Sequence, residues 1–246
     1  MTRDHSTFAP PRGRWPKVLP PLTDEQSRIV DDWYQHWLQL MPGRYSAMER
    51  FNHGFPARQR RPGRRSTTLE IGAGRGEHLL HENLSEQDYH CVELREPLAA
   101  EIREQFPRVT VHAADCQATL PYDDDHFDRV LAIHVFEHLP DLPAAAAQIH
   151  RVLRDDGRLV IVIPCDPGAL YRVARFVSAE RLFRKRYRQS YNWLIRREHI
   201  NSPAEITSVL ARDFVVESRR FFPFRLPVVN SNICIGMVFR KASPPA

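Results

Sequence analysis

Thr68-Leu69-Glu70-Ile71-Gly72-Ala73-Gly74-Arg75-Gly76-Glu77 joins a short apolar run to an acid and three alternating glycines. The pattern predicts a strand, a tight loop and the start of a helix. Glycine takes positive φ without strain and lets a ligand approach where a Cβ would collide, so the loop predicts a nucleotide-like ligand lying on the main chain. A dinucleotide fingerprint G-x-G-x-x-G needs its third glycine at 77, where this chain has Glu77, and a Walker loop needs a Gly-Lys-Ser/Thr run that is absent. Both phosphate-cradling readings are weakened. On these ten residues alone, a plain glycine-rich turn remains open.

With Glu70 two residues before the first glycine, the stretch reads E-x-G-x-G-x-G and resembles the first motif of the class I S-adenosylmethionine (SAM)-dependent methyltransferases. SAM carries an ammonium, a carboxylate and a sulfonium but no phosphate, so a nearby acid suits it better than it suits a pyrophosphate. The resemblance implies cofactor contacts from Glu70, Gly72, Ala73, Gly74 and Gly76. Tyr89-His90-Cys91-Val92-Glu93 reads as a second strand ending in an acid, 17 residues after Gly76, a spacing that admits one helix. In a doubly wound sheet Glu93 stands at the carboxyl edge beside the loop, where a carboxylate accepts both ribose hydroxyls; taken alone it is also an ordinary solvated loop acid. Val109 to His112 reads as a third strand, and Ala113-Ala114-Asp115-Cys116 resembles the family's adenine-reading position, with a surface-turn carboxylate as the alternative. The resemblance adds Leu94, Asp115, Cys116 and Ile133 to the cofactor-binding set.

Phe127 to Ile133 and Gly157 to Ile163 read as strands four and five, and Leu142 to Leu153 carries Ala146, Ile149, Val152 and Leu153 at helical spacing between them. A helix over Pro203 to Ala211 and strands at Phe214 to Glu217 and Asn232 to Phe239 follow. The predicted fold is α/β: a Rossmann-like, doubly wound seven-stranded sheet, mostly parallel with an antiparallel last strand, plus helical cap elements. The resemblance covers residues 66–165 closely. Residues 1–22 read as a disordered, Pro/Arg-rich tail, 23–65 as an N-terminal helical cap and basic linker, and 66–246 as the catalytic domain. The cap helix begins at Thr23-Asp24-Glu25-Gln26 and sets Ile29, Val30, Trp33, Tyr34, Trp37, Leu38 and Met41 on one face, which reads as packing on the domain, with lining of the substrate cleft as the second reading.

His134-Val135-Phe136-Glu137-His138 follows strand four. Two histidines at i and i+4 suggest a metal, but a zincin needs its Glu adjacent to the first histidine, no further ligand follows at ligand spacing, and the segment straddles a strand end; no metal is expected. Small-molecule methyltransferases carry a similar stretch beside the methyl-transfer site, which makes His138 the leading candidate for a substrate base, with capping of the loop as its plain alternative. His134, and His199 in Arg197-Glu198-His199-Ile200-Asn201, are the other candidates. The Asn/Asp-Pro-Pro-Tyr stretch of amine-methylating nucleic-acid enzymes is absent. Pro164-Cys165 falls after strand five rather than strand four, so Cys165 reads as a strand-end residue rather than the nucleophile of an RNA cytosine methyltransferase.

Charge divides along the chain: net +6 over residues 1–65, −10 over 66–165 and +9 over 166–246. An acidic core suits a cationic cofactor, and basic flanks suit an anionic partner. A basic, aromatic insertion at about 166–201 mixes Tyr171, Phe176, Phe183 and Trp193 with Arg172, Arg181, Arg184 and Lys185, and reads as a cap facing phosphate, carboxylate, a carrier protein, a phospholipid surface or RNA. No apolar run approaches the about 20 residues that span a bilayer, so peripheral membrane contact is the only membrane role expected. Cys91, Cys116, Cys165 and Cys234 form no C-x-x-C pair, which suits reduced thiols in the cytoplasm. The expected function is SAM-dependent methyl transfer to a small-molecule, lipid-linked or glycan acceptor, at oxygen. An RNA-directed methyltransferase and a catalytically silent SAM-binding partner protein are the alternatives, and a nicotinamide oxidoreductase is disfavoured by Glu77.

Overall fold

The computed structural model describes residues 13–242 apart from 45, 61, 62 and 64, without the side chains of 38–44 and 46. Expectations for residues 1–12, for the Leu38 and Met41 side chains and for part of the basic linker lie outside the described residues. Seven strands, β1 (Ser66–Ile71), β2 (Gln87–Glu93), β3 (Thr110–Ala113), β4 (Phe127–Ile133), β5 (Leu153–Pro164), β6 (Phe214–Phe222) and β7 (Cys234–Lys241), form one sheet in the order β3-β2-β1-β4-β5-β7-β6. The first five pair in parallel, and β7 lies antiparallel between β5 and β6. The strand order reverses between β1 and β4, so the crevice for a ligand lies outside their carboxyl ends.

Both faces of the sheet are covered, which is why its central strands are continuous apolar runs. On one face lie α4 (Leu142–Val152) and α8 (Pro203–Leu210), with Ala145, Ile149, Ile206 and Leu210 all fully buried. Asp141 caps α4 by accepting from Ala144 N–H, and Ser202 with Glu205 forms a capping box on α8. On the other face α3 (Glu96–Gln105) packs Ala99 and Ile102 beneath the parallel strands.

The segment between β1 and β2 departs from the expectation of one helix: Glu77–His81 and Leu84–Glu86 form two short 3-10 turns. The missing cover comes from α2 (Ser46–Ala57), in a stretch with no element of its own in the sequence reading. Its Phe51 and Phe55 enter the core of this face, and a Cβ on Gly236 of β7 would stand 2.4 Å from the Phe55 ring. Arg129 on β4, 3% exposed, explains the turns. A buried guanidinium needs acceptors, and it donates to Glu82 (2.8 Å), Gln87 (2.9 Å) and the Pro56 carbonyl (3.1 Å), drawing the turn and the end of α2 onto the sheet.

The tail reading also needs correction from Trp15 onward. Lys17 is 3% exposed; its N–H donates to the Pro140 carbonyl (2.8 Å) and its ammonium to the Ile200 carbonyl (2.6 Å) and Glu205 (2.9 Å). Three tertiary partners on one lysine convert this stretch into a strap. Beyond it, α1 (Asp24–Arg44) packs on α6 (Arg181–Tyr187) and α7 (Asn192–Glu198) through Ile29 and Trp33, with Trp33 edge-on to Phe183 at 5.3 Å. A helix α5 (Ala169–Arg175) and a π turn at Phe176–Glu180 lead into α6. No described helix is long and apolar enough to cross a membrane.

We expect Phe55→Ala to lower the unfolding free energy by about 3–5 kcal/mol in urea titrations. Gly236→Val should also destabilise alone, yet lose less in the Phe55→Ala background, where the cavity receives the added side chain; strictly additive losses would contradict the contact.

Candidate active site

The three loop glycines all adopt positive φ: Gly72 at 66°, Gly74 at 59° and Gly76 at 81°. Gly72 N–H donates to the Val92 carbonyl at 2.7 Å, and a Cβ on Gly72 would lie 2.6 Å from a Val135 methyl. The tips of β1, β2 and the segment after β4 therefore meet at one bare Cα. Gly74 N–H donates to Glu93 Oε2 at 3.0 Å, and Arg95 N–H to Glu93 Oε1 at 3.1 Å. Each oxygen keeps a second lone pair, so the fixed carboxylate can still accept two ribose hydroxyls. Ala114 N–H donates to the Glu93 carbonyl (3.1 Å), which brings Asp115 and buried Cys116 alongside, and Asp115 Oδ1 is oriented by Gln117 N–H at 2.9 Å. Leu94 is 65% exposed, an apolar surface beside Glu93 on which a purine ring can lie.

Glu70 sits differently from the other predicted residues. It is 3% exposed within β1 and accepts from the Tyr89 hydroxyl at 2.9 Å, and burial pushes its carboxyl up to about 8. It stands beneath the loop as a protonated acid at neutral pH rather than as a free carboxylate in the crevice. α1 roofs the other side. Tyr34 lies 3.8 Å beneath the Arg95 guanidinium, and burial raises its hydroxyl pKa, with Glu93 and Glu77 adding to the rise. Gln35 accepts from Arg75 at 3.4 Å.

The segment after β4 begins with His134 at φ 53°, a strained left-handed conformation fixed by its N–H donating to the Val162 carbonyl at 2.8 Å. His134 Nδ1 lies 3.1 Å from Glu137 Oε1. Burial works against protonation of His134, but Cys234 and the Glu137 carboxylate outweigh it and raise its pKa to about 10. The Glu137 carboxylate thus favours the protonated form of His134, which makes it a poorer candidate for the base than His138. Burial would raise Glu137 too, yet the His134 hydrogen bond and the neighbouring His138 and His199 hold it below the usual range.

His138 has the opposite character. Burial lowers its pKa, and Nδ1 lies 2.7 Å from the Glu198 carbonyl, which only accepts, so the proton sits on Nδ1 and Nε2 carries the lone pair. His199 Nδ1 lies 3.0 Å from Asp166 Oδ2, an aspartate-histidine pair that likewise directs the lone pair to Nε2. The two rings meet edge-on, with centroids 5.3 Å apart. Donor atoms of Glu137, His138 and His199 lie within 4.8 Å of one another, so this set could hold a metal ion as well as take a proton. The i, i+4 histidines alone could not show this, because the third donor arrives from the cap. Cys165 is fully buried and its thiol is pushed up to about 12 by burial, so it supplies no nucleophile.

Sequence reading missed Asp166 as a site residue. Asp166 follows the carboxyl end of β5, the edge where functional groups gather in such sheets, and that position was its available signal. Tyr34 was signalled only as part of the cap-helix stripe, whose second reading was a lining of the cleft.

The glycine cradle, the oriented Glu93 and the apolar Leu94 fit SAM. Residues 69–161 match a family model described as a methyltransferase domain. Methyltransferase GfsG of Streptomyces halstedii is 43% identical over 70 residues, a stretch that is 28% of this chain and only 25% of that protein. A TehB-like SAM-dependent methyltransferase from Corynebacterium glutamicum superposes with a TM-score of 0.61 at 17% identity, covering 88% of this chain and 100% of that one. The 1,6-didemethyltoxoflavin-N1-methyltransferase of Burkholderia thailandensis, solved with 1,6-didemethyltoxoflavin and S-adenosylhomocysteine bound, gives a TM-score of 0.56 at 19% identity over 92% of this chain and 94% of that one.

We expect Glu93→Ala to abolish SAM binding in calorimetric titrations. At pH 7, SAM binding to the natural chain should release protons, because an arriving ammonium lowers the raised Glu70 pKa; titrations in buffers of differing ionisation enthalpy read this, and Glu70→Gln should remove it. Taken together, loop, crevice and comparisons show that residues 69–161 carry a methyltransferase domain, set in the fold of the class I, SAM-dependent methyltransferases.

Proposed function

We propose that the chain transfers the methyl group of SAM to a hydroxyl of a small-molecule, lipid-linked or glycan acceptor. The observation that carries this reading is the pair of imidazoles, His138 and His199, each with its proton held on Nδ1 and its Nε2 lone pair free. When bound, SAM supplies an electrophilic methyl on a sulfonium. Glu93 and the glycine loop would fix the cofactor, and Val135, packed on Gly72, ties the histidine segment to that loop. Holding the two reactants in line accounts for most of the acceleration expected of such a site. An acceptor hydroxyl beside the two rings would pass its proton to Nε2 of His138 or His199, and Asp166 would stabilise the imidazolium formed on His199. Protonated His134 would hold Glu137 in place and keep that carboxylate from repelling the developing alkoxide.

Basic flanks alone support an RNA acceptor, and the insertion's aromatics weigh against it. Phe183, Tyr191 and Trp193 are buried against α1 and are unavailable to stack on bases.

With a hydroxylated acceptor that supports S-adenosylhomocysteine release, His199→Asn and His138→Gln should each lower kcat by about 10²–10⁴-fold while leaving SAM affinity unchanged. Because burial depresses the His138 pKa, the base stays neutral to lower pH than a free imidazole does; kcat/KM should fall on the acid side, at a pH below that at which a free imidazole titrates. Full activity in both variants would remove the imidazoles from the mechanism and point to an acceptor needing no base.

A further inference from the structure

Residues 169–187 form one helical run that faces outward beside the histidine cluster. The backbone stays right-handed through both ends of the π turn, with Arg175 at φ −61° and Glu180 at φ −63°. Its inner side sends Phe183 and Ala179 into the cluster with Trp33. On its outer side Val173, Phe176 and Val177 are 60%, 59% and 62% exposed, at the i, i+3, i+4 spacing of a single helix face. Burying such side chains is worth kilocalories, so three left in water on successive turns form a surface without its partner. Arg172, Arg181, Arg184 and Lys185 flank them, all exposed and none ion-paired with a described residue.

The loop between β6 and β7 adds a second apolar group. Phe224, Leu226 and Val228 are 62%, 55% and 48% exposed, yet the loop is held firmly. Fully buried Asn232 accepts from Phe224 N–H at 3.1 Å and donates to the Leu226 and Val228 carbonyls, both at 2.8 Å. The end of this loop packs on the start of α5, where a Cβ on Gly168 would lie 2.7 Å from the Val229 carbonyl oxygen.

We propose that this helix face and the adjoining loop dock onto an anionic lipid bilayer. Aliphatic tips gain from an acyl boundary without needing a shaped partner, and the unpaired arginines and lysine meet acidic headgroups. Nucleic acid would be served by several exposed aromatic rings, and Phe176 is the one exposed ring of the helix. The face also adjoins the chemistry. Asp166, which orients His199, stands three residues before α5, and Tyr171 of α5 lies 5.8 Å from the His199 ring. A docked chain would thus open its histidine cluster close to the headgroup layer. The inference goes beyond methyl transfer and its test needs no turnover.

Vesicle flotation of the full chain, with phosphatidylcholine alone or mixed with phosphatidylglycerol, tests the proposal. Binding should require phosphatidylglycerol and weaken with salt. The Arg181→Glu/Arg184→Glu/Lys185→Glu variant should bind at least about tenfold more weakly, and Phe176→Ser/Val177→Ser should lose the salt-resistant fraction. Calorimetric SAM affinity should be unchanged in both variants, which separates lost docking from lost folding or a failed cofactor site. Equal binding to neutral and anionic vesicles, no binding to either, unaltered binding by the charge-reversed variant, or retention of an RNA oligonucleotide in place of vesicles would overturn the proposal.

Discussion

Three strand ends close on a single hydrogen atom, the one Gly72 carries in place of a side chain. Its N–H is spent on the Val92 carbonyl, its φ is positive, and the Val135 methyl occupies the space that any Cβ would take. That contact sets the distance between the loop after β1, the carboxylate at the end of β2 and the histidine segment after β4. Cofactor crevice and proton-accepting cluster therefore share one fixed point. A larger residue at 72 would separate them without altering a single charged group.

The distribution of charge follows from this arrangement. Residues that converge on the crevice are acidic, and the core segment carries the chain's negative charge, while the basic residues lie in elements that fold over it. Those elements are not loose additions. Lys17 ties the strap to the Ile200 carbonyl and Glu205, and the N–H groups of Ile200 and Asn201 both donate to the Glu137 carbonyl. The strap, the cap and the histidine segment are thus linked through successive hydrogen bonds, so the histidines are placed by contacts from three distant parts of the chain.

The sheet was legible because parallel strands buried on both faces must be continuous apolar runs, and the loop of Gly72, Gly74 and Gly76 was legible because alternating glycines after a strand mark backbone at positive φ. What escaped the sequence reading was non-local. The two 3-10 turns exist because Arg129 needs Glu82 and Gln87, a demand made from another strand. α2 covers the sheet because Gly236, some 180 positions later, leaves room for Phe55. Lys17 looks like one more charge in a basic tail until the fold brings it two carbonyls and a carboxylate. His134, His138 and His199 were all candidates from their motifs, but only their neighbours separate them. Glu137 favours protonation of His134, whereas burial favours the neutral form of His138. Asp166 pairs with His199 across 33 positions that no spacing rule connects.

A crystal structure of the chain with S-adenosylhomocysteine tests the central claim most directly, that one crevice at the strand ends holds cofactor and acceptor in line. The account predicts both ribose hydroxyls on the Glu93 carboxylate, the adenine against Leu94 with its amino group at Asp115, and the thioether sulfur directed toward His138 and His199. A ligand seated elsewhere, or one seated with its sulfur facing away from the imidazoles, would contradict it.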